Sequence, residues 1–421
     1  MKIWLIHLGE FLPIDKNARL FRYGILADML VERGHYVTRW APTFVHATKQ
    51  QRFHRDVTIH LNDRYVLELL YAPGYRRHIG YRRLQFHRRI AKSFLVHARK
   101  QDKPDLIITG MPVPEVSAAA VSLANERDIP IIVDIRDLWP DVFVWMWPKM
   151  LRPIVNMIMW PVHKTNRYIF RNTTAITAIS ESYLQWGLRY AGRQRRKWDK
   201  VFYMAYKRKV LHDNEREVSK NKLIEMGVRK NAFLVVFFGT LGHQFDIETV
   251  IESARYLKNY NNNVQFVICG DGSKLEYYRS LSRDLDNVVF TGWVNSYDIA
   301  LLMEWAEIGL APYHNTARMS LPNKPIEYMS GGLPILSSLQ GELEILLNEY
   351  NCGLTYKAGD VRDFLSKLNL LINNSELRRA MGENSKRLFE EKFSADKVYS
   401  NMIDYMEQVV AGFGGRLGGR R

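Results

Sequence analysis

The stretch Arg318-Met-Ser-Leu-Pro-Asn-Lys-Pro-Ile-Glu-Tyr-Met-Ser-Gly-Gly-Leu-Pro-Ile335 reads as a loop, a short helix and a buried strand. Pro325 suits the first helical turn, where a backbone N–H would lack a partner anyway. Gly331 and Gly332 suit a left-handed exit. Lys324 and Glu327 are three residues apart, so they share one face at the helix start. The apolar run Ile308-Gly-Leu-Ala311 just before places that start above the carboxyl end of a strand. Phosphates favour a helix N-terminus and a lysine. A carboxylate in the next turn can accept two hydroxyl hydrogen bonds, as from a ribose. The segment therefore points to a nucleoside diphosphate site built on a strand–loop–helix frame.

Working outward, the same frame repeats. Phe233-Leu-Val-Val-Phe-Phe238 runs into Gly239-Thr-Leu-Gly242, then a helical pattern from Asp246 to about Lys258. Val264-Gln-Phe-Val-Ile268 runs into Cys-Gly270-Asp-Gly272, and Val288-Val-Phe290 into Thr-Gly292-Trp-Val294. The first half shows strands at Lys2-Ile-Trp-Leu-Ile6, Tyr36-Val-Thr-Arg-Trp40, Asp105-Leu-Ile-Ile-Thr109, Ile131-Ile-Val-Asp134 and Ala175-Ile-Thr-Ala178, with helical stretches between them. Alternating strands and helices mark a parallel α/β sheet, whose ligands bind at the carboxyl ends of the strands. The reading is two doubly wound, Rossmann-like domains, 1–206 and 207–393, with the charged stretch Lys207 to Lys222 as the linker. A last helix, 394–411, is expected to pack back on the first domain. The tail 412–421 is too rich in Gly and Arg to fold alone.

Composition narrows the function. With 421 residues the chain exceeds one core. Cys269 and Cys352 are the only cysteines and lack neighbours at ligand spacing, so neither a zinc site nor a disulfide framework is expected. Met1-Lys-Ile-Trp-Leu-Ile is too short an apolar run for a secretory signal. The net charge of +16 implies an anionic partner: a phosphorylated substrate, a membrane surface or nucleic acid. Basic residues crowd Arg76, Arg77, Arg82, Arg83, Arg88, Arg89, Lys92, Arg99 and Lys100, and again Arg189, Arg193, Arg195, Arg196, Lys197 and Lys200. For any single charge, a solvated helix face is the plainer explanation. The apolar segment 142–161 is broken by Pro148, Pro153 and Pro161, so it does not span a bilayer. Trp145, Trp147 and Trp160 beside Lys149 and Arg152 fit either a segment lying in a bilayer interface or core packing.

Four local patterns carry a resemblance: Gly9-Glu-Phe-Leu-Pro13 with Asn17-Ala-Arg19 and Arg33-Gly-His-Tyr-Val37; Asp134-Ile-Arg-Asp-Leu-Trp-Pro-Asp141; Phe238-Gly-Thr-Leu-Gly242; and Leu321-Pro-Asn-Lys-Pro-Ile-Glu-Tyr-Met329. In this order they resemble the family-four, retaining glycosyltransferases of bacterial surface-polysaccharide biosynthesis, over roughly the whole chain. The resemblance implies the GT-B fold, two Rossmann-like domains facing across a cleft. It implies transfer of a sugar from a nucleotide-diphosphate donor, by family habit a UDP-sugar, to a lipid-linked or oligosaccharide acceptor, with retention of anomeric configuration. It implies no metal and no cofactor. Lys324 would neutralise the leaving diphosphate and Glu327 would bind the ribose. Gly239, Thr240, Leu241 and Gly242 would approach phosphates or sugar. Gly270, Trp293 and Val294 would lie near the nucleoside, with Arg318, Leu321, Pro322 and Asn323 lining the donor site. Arg136 and Asp137 are the further catalytic candidates, and Glu10, Asn17 and Arg19 face the acceptor or phosphates. Two departures stand out: Met319 replaces a family glutamate, and His243, Gln244 and Asp246 stand where an Arg and a Lys are usual.

Within this reading the protein is a cytoplasmic enzyme at the inner face of the plasma membrane, docked on anionic lipid. A sugar-nucleotide epimerase on the same scaffold is the alternative. A nucleic-acid binder rests on charge alone, since the basic residues lack a regular aromatic interleave.

Overall fold

The computed structural model describes residues 1–15, 20–76, 80–260, 263–317 and 319–417, with side chains to residue 414. It divides into two compact units, residues 1–204 with 398–421 and residues 205–397. The chain thus passes between units at Met204 and Ala205, two residues before the expected position.

Among the described residues, the first unit holds an eight-stranded sheet. Its spatial order is Lys200–Val201, Ala175–Ala178, Ile131–Ile135, Leu106–Gly110, Lys2–Ile6, Tyr36–Pro42, Tyr65–Leu70 and Val57–Asn62. All neighbours are parallel except the last pair. That antiparallel hairpin, Val57–Asn62 with Tyr65–Leu70, falls where helical stretches were expected. Its outer strand alternates half-buried and exposed residues, as an edge strand with one wetted face does. The helix Tyr81–Ala98 buries Phe86, Ile90, Phe94 and Ala98, a stripe at four-residue spacing. Phe94 meets Trp4 and Trp40 edge-on, with ring centroids 6.4 and 5.1 Å away. Burying each such side chain contributes about 1.5–3 kcal/mol.

The second unit holds a six-stranded parallel sheet among the described residues. Its spatial order is Val288–Gly292, Val264–Cys269, Phe233–Phe238, Ala306–Ala311, Ile335–Ser337 and Gly353–Thr355. Counting along the chain this is 3-2-1-4-5-6, the doubly wound order. The order reverses between Phe233–Phe238 and Ala306–Ala311, and ligands in such sheets sit at that switch point.

Two elements differ from the sequence reading. Much of the expected linker is a helix, Asp213–Glu225, which buries only Ser219 and Leu223. Ion pairs Arg216–Glu304 and Lys222–Asp298 tie it to the helix Ser296–Trp305, so no apolar stripe announces it. The last helix runs Ala395–Leu417, beyond the expected end near Ala411. Gly412 lies against Trp198, where a Cβ would come within 2.7 Å of the indole, and this packing carries the helix into the glycine-rich tail. From Val398 onward that helix belongs to the first unit.

Candidate functional site

The helix Asn323–Ser330 is laid on its sheet by Tyr328. Gly309 leaves room for that ring: a Cβ there would be 2.4 Å from Tyr328 Cγ. The Phe238 N–H donates to Tyr328 Oη at 3.1 Å. Strand end, helix and neighbouring strand are thereby fixed together, which brings Lys324 over Gly239 at the switch point. A Cβ on Gly239 would lie 1.9 Å from Lys324 Cε, so any larger residue would push the lysine end out of this place. The helix exit differs slightly from expectation. Gly332, at φ +72°, is the left-handed residue, while Gly331 keeps helical geometry.

The Lys324 ammonium stands 4.4 Å from the Phe245 ring centroid and 5.9 Å from that of Phe237. Among the described residues it forms no hydrogen bond and no ion pair within 4 Å. Burial lowers its pKa, and the charge of Glu327 opposes that shift without cancelling it. The helix start beside it has no side-chain cap; its N-cap is Pro322. The first turn, without a side-chain cap, thus carries a half-buried cation, a combination that favours a polyanion.

The glycine loops are interlocked. Gly239 N–H donates to Cys269 O, Leu241 N–H to Asp271 O, and Lys274 N–H to Leu241 O, at 2.8, 2.9 and 3.1 Å. Gly270 sits against Gly239 O, where a Cβ would be 1.8 Å away. The Leu241 side chain is fully buried and anchors the loop. Among the described residues, the amides of Thr240 and Gly242 are not used in backbone bonds. Trp293 is 72% exposed while Val294 is buried, so of that pair only Trp293 offers a side chain. Leu321 is buried too, Pro322 half-buried and Asn323 exposed. Arg318, Asn17 and Arg19 lie outside the described residues. The departures resolve differently. His243 is exposed. Asp246 caps the helix Ile247–Lys258 through Thr249 and accepts the Gly359 N–H, a structural role. Asp271 accepts from Gly272 N–H and does not cap the next helix, whose N-cap is Lys274.

In the first unit, a polar cluster occupies the corresponding switch point, between Lys2–Ile6 and Leu106–Gly110. Arg136 pairs with Glu10, not with its neighbour Asp137. Glu10 also accepts the Tyr23 N–H at 3.0 Å and faces Arg39 at 3.4 Å. Burial pushes the Glu10 carboxyl up, yet Arg136, His7 and Arg39 together hold it below its ordinary value. Asp134 is fully buried and bound by Arg22 through two hydrogen bonds of 2.9 and 3.1 Å, with Thr177 Oγ1 donating at 2.8 Å. Those partners outweigh burial and hold it low. His7 was not anticipated. It stacks on Tyr23 with ring centroids 4.9 Å apart and meets Arg136 Nη1 at 3.3 Å. Burial, then Arg136, lowers its pKa to about 3, so it is neutral at pH 7. A lone histidine directly after the first buried strand was the only signal. Asp137 stands apart; burial raises its pKa against the Leu138 N–H and the charge of Arg83.

The basic clusters also separate. Arg193 pairs with Asp199, Arg195 with Glu181 and Arg99 with Glu126, the plain structural outcome. Arg82, Arg88, Arg89 and Lys92 line the exposed face of Tyr81–Ala98. Arg77 is outside the described residues.

Residues 219–388 match the family model described as Glycosyl transferases group 1. The chain is similar to 2-deoxystreptamine N-acetyl-D-glucosaminyltransferase of Niallia circulans, at 22% identity over 40% of this chain and 44% of the relative. It is 28% identical to O-antigen chain mannosyltransferase C of Escherichia coli over 46% of this chain and 49% of the relative. These matches span less than half the length of either relative. Among solved structures, HepE of Anabaena in complex with UDP superposes with a TM-score of 0.64 at 13% identity, covering 97% of this chain and 100% of that one. Sucrose-phosphate synthase of Thermosynechococcus elongatus gives 0.69 at 15%, covering 98% and 99%. The fold is GT-B, α/β with two Rossmann-like domains.

Proposed function

We propose that the protein is a glycosyltransferase that binds a nucleotide-diphosphate sugar in its C-terminal unit and transfers the sugar to a saccharide acceptor. One observation carries this reading: a half-buried lysine without an ion pair among the described residues, lodged over Gly239 at the sheet's switch point beside an uncapped helix start. When the bond between sugar and diphosphate breaks, negative charge grows on the departing phosphate. Lys324 and the first-turn amides of Asn323–Ser330 meet that charge in a site of low dielectric. In this reading they supply what a divalent ion would otherwise supply, so transfer should survive EDTA. Glu327, one turn on, accepts the ribose hydroxyls, and the amides of Thr240 and Gly242 approach the phosphates.

The match of residues 219–388 to a glycosyl transferase family supports this assignment, because it covers the strand, glycine loop and helix that build the site. Uracil is the proposed base, supported by the UDP complex of HepE. Retention of configuration follows from the resemblance to family-four enzymes. Relatives named for O-antigen and capsular polysaccharide synthesis support a lipid-linked or growing saccharide as acceptor, met at the inner face of the plasma membrane. Arg136 and Asp137 are the further proposed catalytic residues, and Glu10, which pairs with Arg136, is proposed on the acceptor or phosphate side.

The test is thermal stabilisation of the wild type and Glu327→Ala by UDP, GDP, ADP and dTDP sugars. A shift with one nucleotide that shrinks in the variant is expected. No shift with any of them would overturn the donor assignment.

A further inference from the structure

Three short helices follow the strand Ile131–Ile135 in the first unit: Asp141–Trp145, Arg152–Ile158 and Trp160–Arg171. The first two bury one residue each, Val144 and Val155. Val142 packs on the core and Phe143 is half-buried between Trp139 and Trp147, but the remaining apolar side chains of the second helix and of the turn before it point into solvent. Met150 is 90% exposed, and Met157, Ile158, Trp160, Ile154 and Trp147 are all exposed. Sequence alone left the tryptophans divided between core and interface; the structure puts them outside. So many exposed apolar side chains within one short stretch mark an interaction site.

Its surroundings are basic. Lys149 and Lys164 are exposed, Arg167 lies 4.5 Å from the Trp160 ring centroid, and Arg152 donates to the carbonyls of Trp145 and Trp147. Among these helices only Asp141 is acidic, and it is engaged by the Trp186 indole. A second basic feature lies at the same end of the sheet. Pro73, Gly74, Arg82, Gln85, Phe86 and Arg89 line a cavity of about 230 Å³ just past the strand Tyr65–Leu70. That strand and Ile131–Ile135 run parallel within one sheet. The helices Tyr81–Ala98 and Trp160–Arg171 both pack on Pro114–Glu126, so they share a layer. The two features are separated by four strand spacings, roughly 19 Å.

We infer that this face of the first unit is a docking surface for an anionic bilayer, into which the helices 141–160 insert shallowly while Arg82 and Arg89 take headgroup phosphates. Apolar burial and charge attraction act together here, as they do for amphipathic helices lying in a membrane interface. Tryptophan suits the headgroup level because its ring is apolar and its N–H polar. No helix among the described residues is long and apolar enough to cross a membrane, which fits surface attachment by these helices. The surface gives a place to the membrane contact proposed above. Vesicle binding is read without any sugar nucleotide, so its failure and failure of the donor assignment are distinguishable.

The experiment is flotation of the full chain with phosphatidylcholine vesicles, with and without phosphatidylglycerol. Wild type should float with the anionic vesicles only. Met150→Glu with Ile154→Glu should lower partitioning by about tenfold or more. Arg82→Gln with Arg89→Gln should lower it by about twenty-fivefold, near fivefold for each charge removed. All four side chains sit at the surface, so melting temperatures should not move. As a second reading on the wild type, brominated acyl chains should quench tryptophan emission, and Trp147→Phe with Trp160→Phe should reduce that quenching. Equal flotation of wild type and variants would overturn the inference. So would a wild-type dimer, seen by light scattering, that Met150→Glu with Ile154→Glu dissociates; the face would then belong to a second copy of the chain.

Discussion

The two sheets present the same topological feature and treat charge in opposite ways. At the switch point of the first unit, Arg22 is bound to Asp134 and Arg136 to Glu10, inside a layer closed by Tyr23 and Thr177. At the switch point of the second, Lys324 is held over two phenylalanine rings with no ion pair among the described residues. Burying a charge without a partner is costly, and a fold keeps such a group where a ligand completes it. The first cluster is self-neutralised and fixes geometry. The second has no ion pair among the described residues, and in the proposed function a diphosphate completes it.

The largest effect that would break this contrast lies in the first unit. Arg22→Ala strands the fully buried Asp134 carboxylate and should cost about 3–5 kcal/mol by urea denaturation. A smaller loss would mean that the pair does not organise the sheet edge. Next, Lys324→Ala should lower kcat by about 10²-fold or more with little change in melting temperature. Near-normal turnover would remove the lysine from the chemistry.

A third test uses pH. The folded-state pKa of His7 is depressed to about 3 from 6.5, so between these values the unfolded chain binds more protons. Stability therefore rises with pH through that window and is lost on acidification. The His7 contribution from pH 7 to pH 5 should be about 2 kcal/mol, read as the difference between wild type and His7→Gln. Parallel curves would show that His7 is not buried as described. The smallest effect is expected for Glu327→Ala, which should raise the donor KM by about tenfold with kcat less affected, as the loss of a charge-assisted hydrogen bond would. An unchanged KM would sharpen the contrast to Lys324 alone.

Much of the second unit could be read from residues because its strands are buried on both faces and appear as unbroken apolar runs ending in glycine. Phe233–Phe238 and its loop are the clearest case. The hairpin Val57–Leu70 escaped because Thr58, His60 and Glu68 break the apolar signal on its wetted face. The helix Asp213–Glu225 escaped because ion pairs, not an apolar stripe, hold it. Lys324 and Glu327 were legible since one short helix carries both. His7, Glu10 and Arg136 were not legible as a unit, because Arg136 lies 126 residues beyond Glu10 and 129 beyond His7. Nor could composition separate a core tryptophan from an exposed one in 142–161; only packing decides that.

In the proposed function Lys324, without an ion pair among the described residues, is held there to meet a diphosphate. Calorimetric titration tests it most directly, using whichever nucleoside diphosphate most stabilises the wild type, against wild type and Lys324→Ala. Binding to the wild type and a Kd raised by about tenfold or more in the variant are expected, with both proteins equally folded. Equal affinity in the two would contradict it.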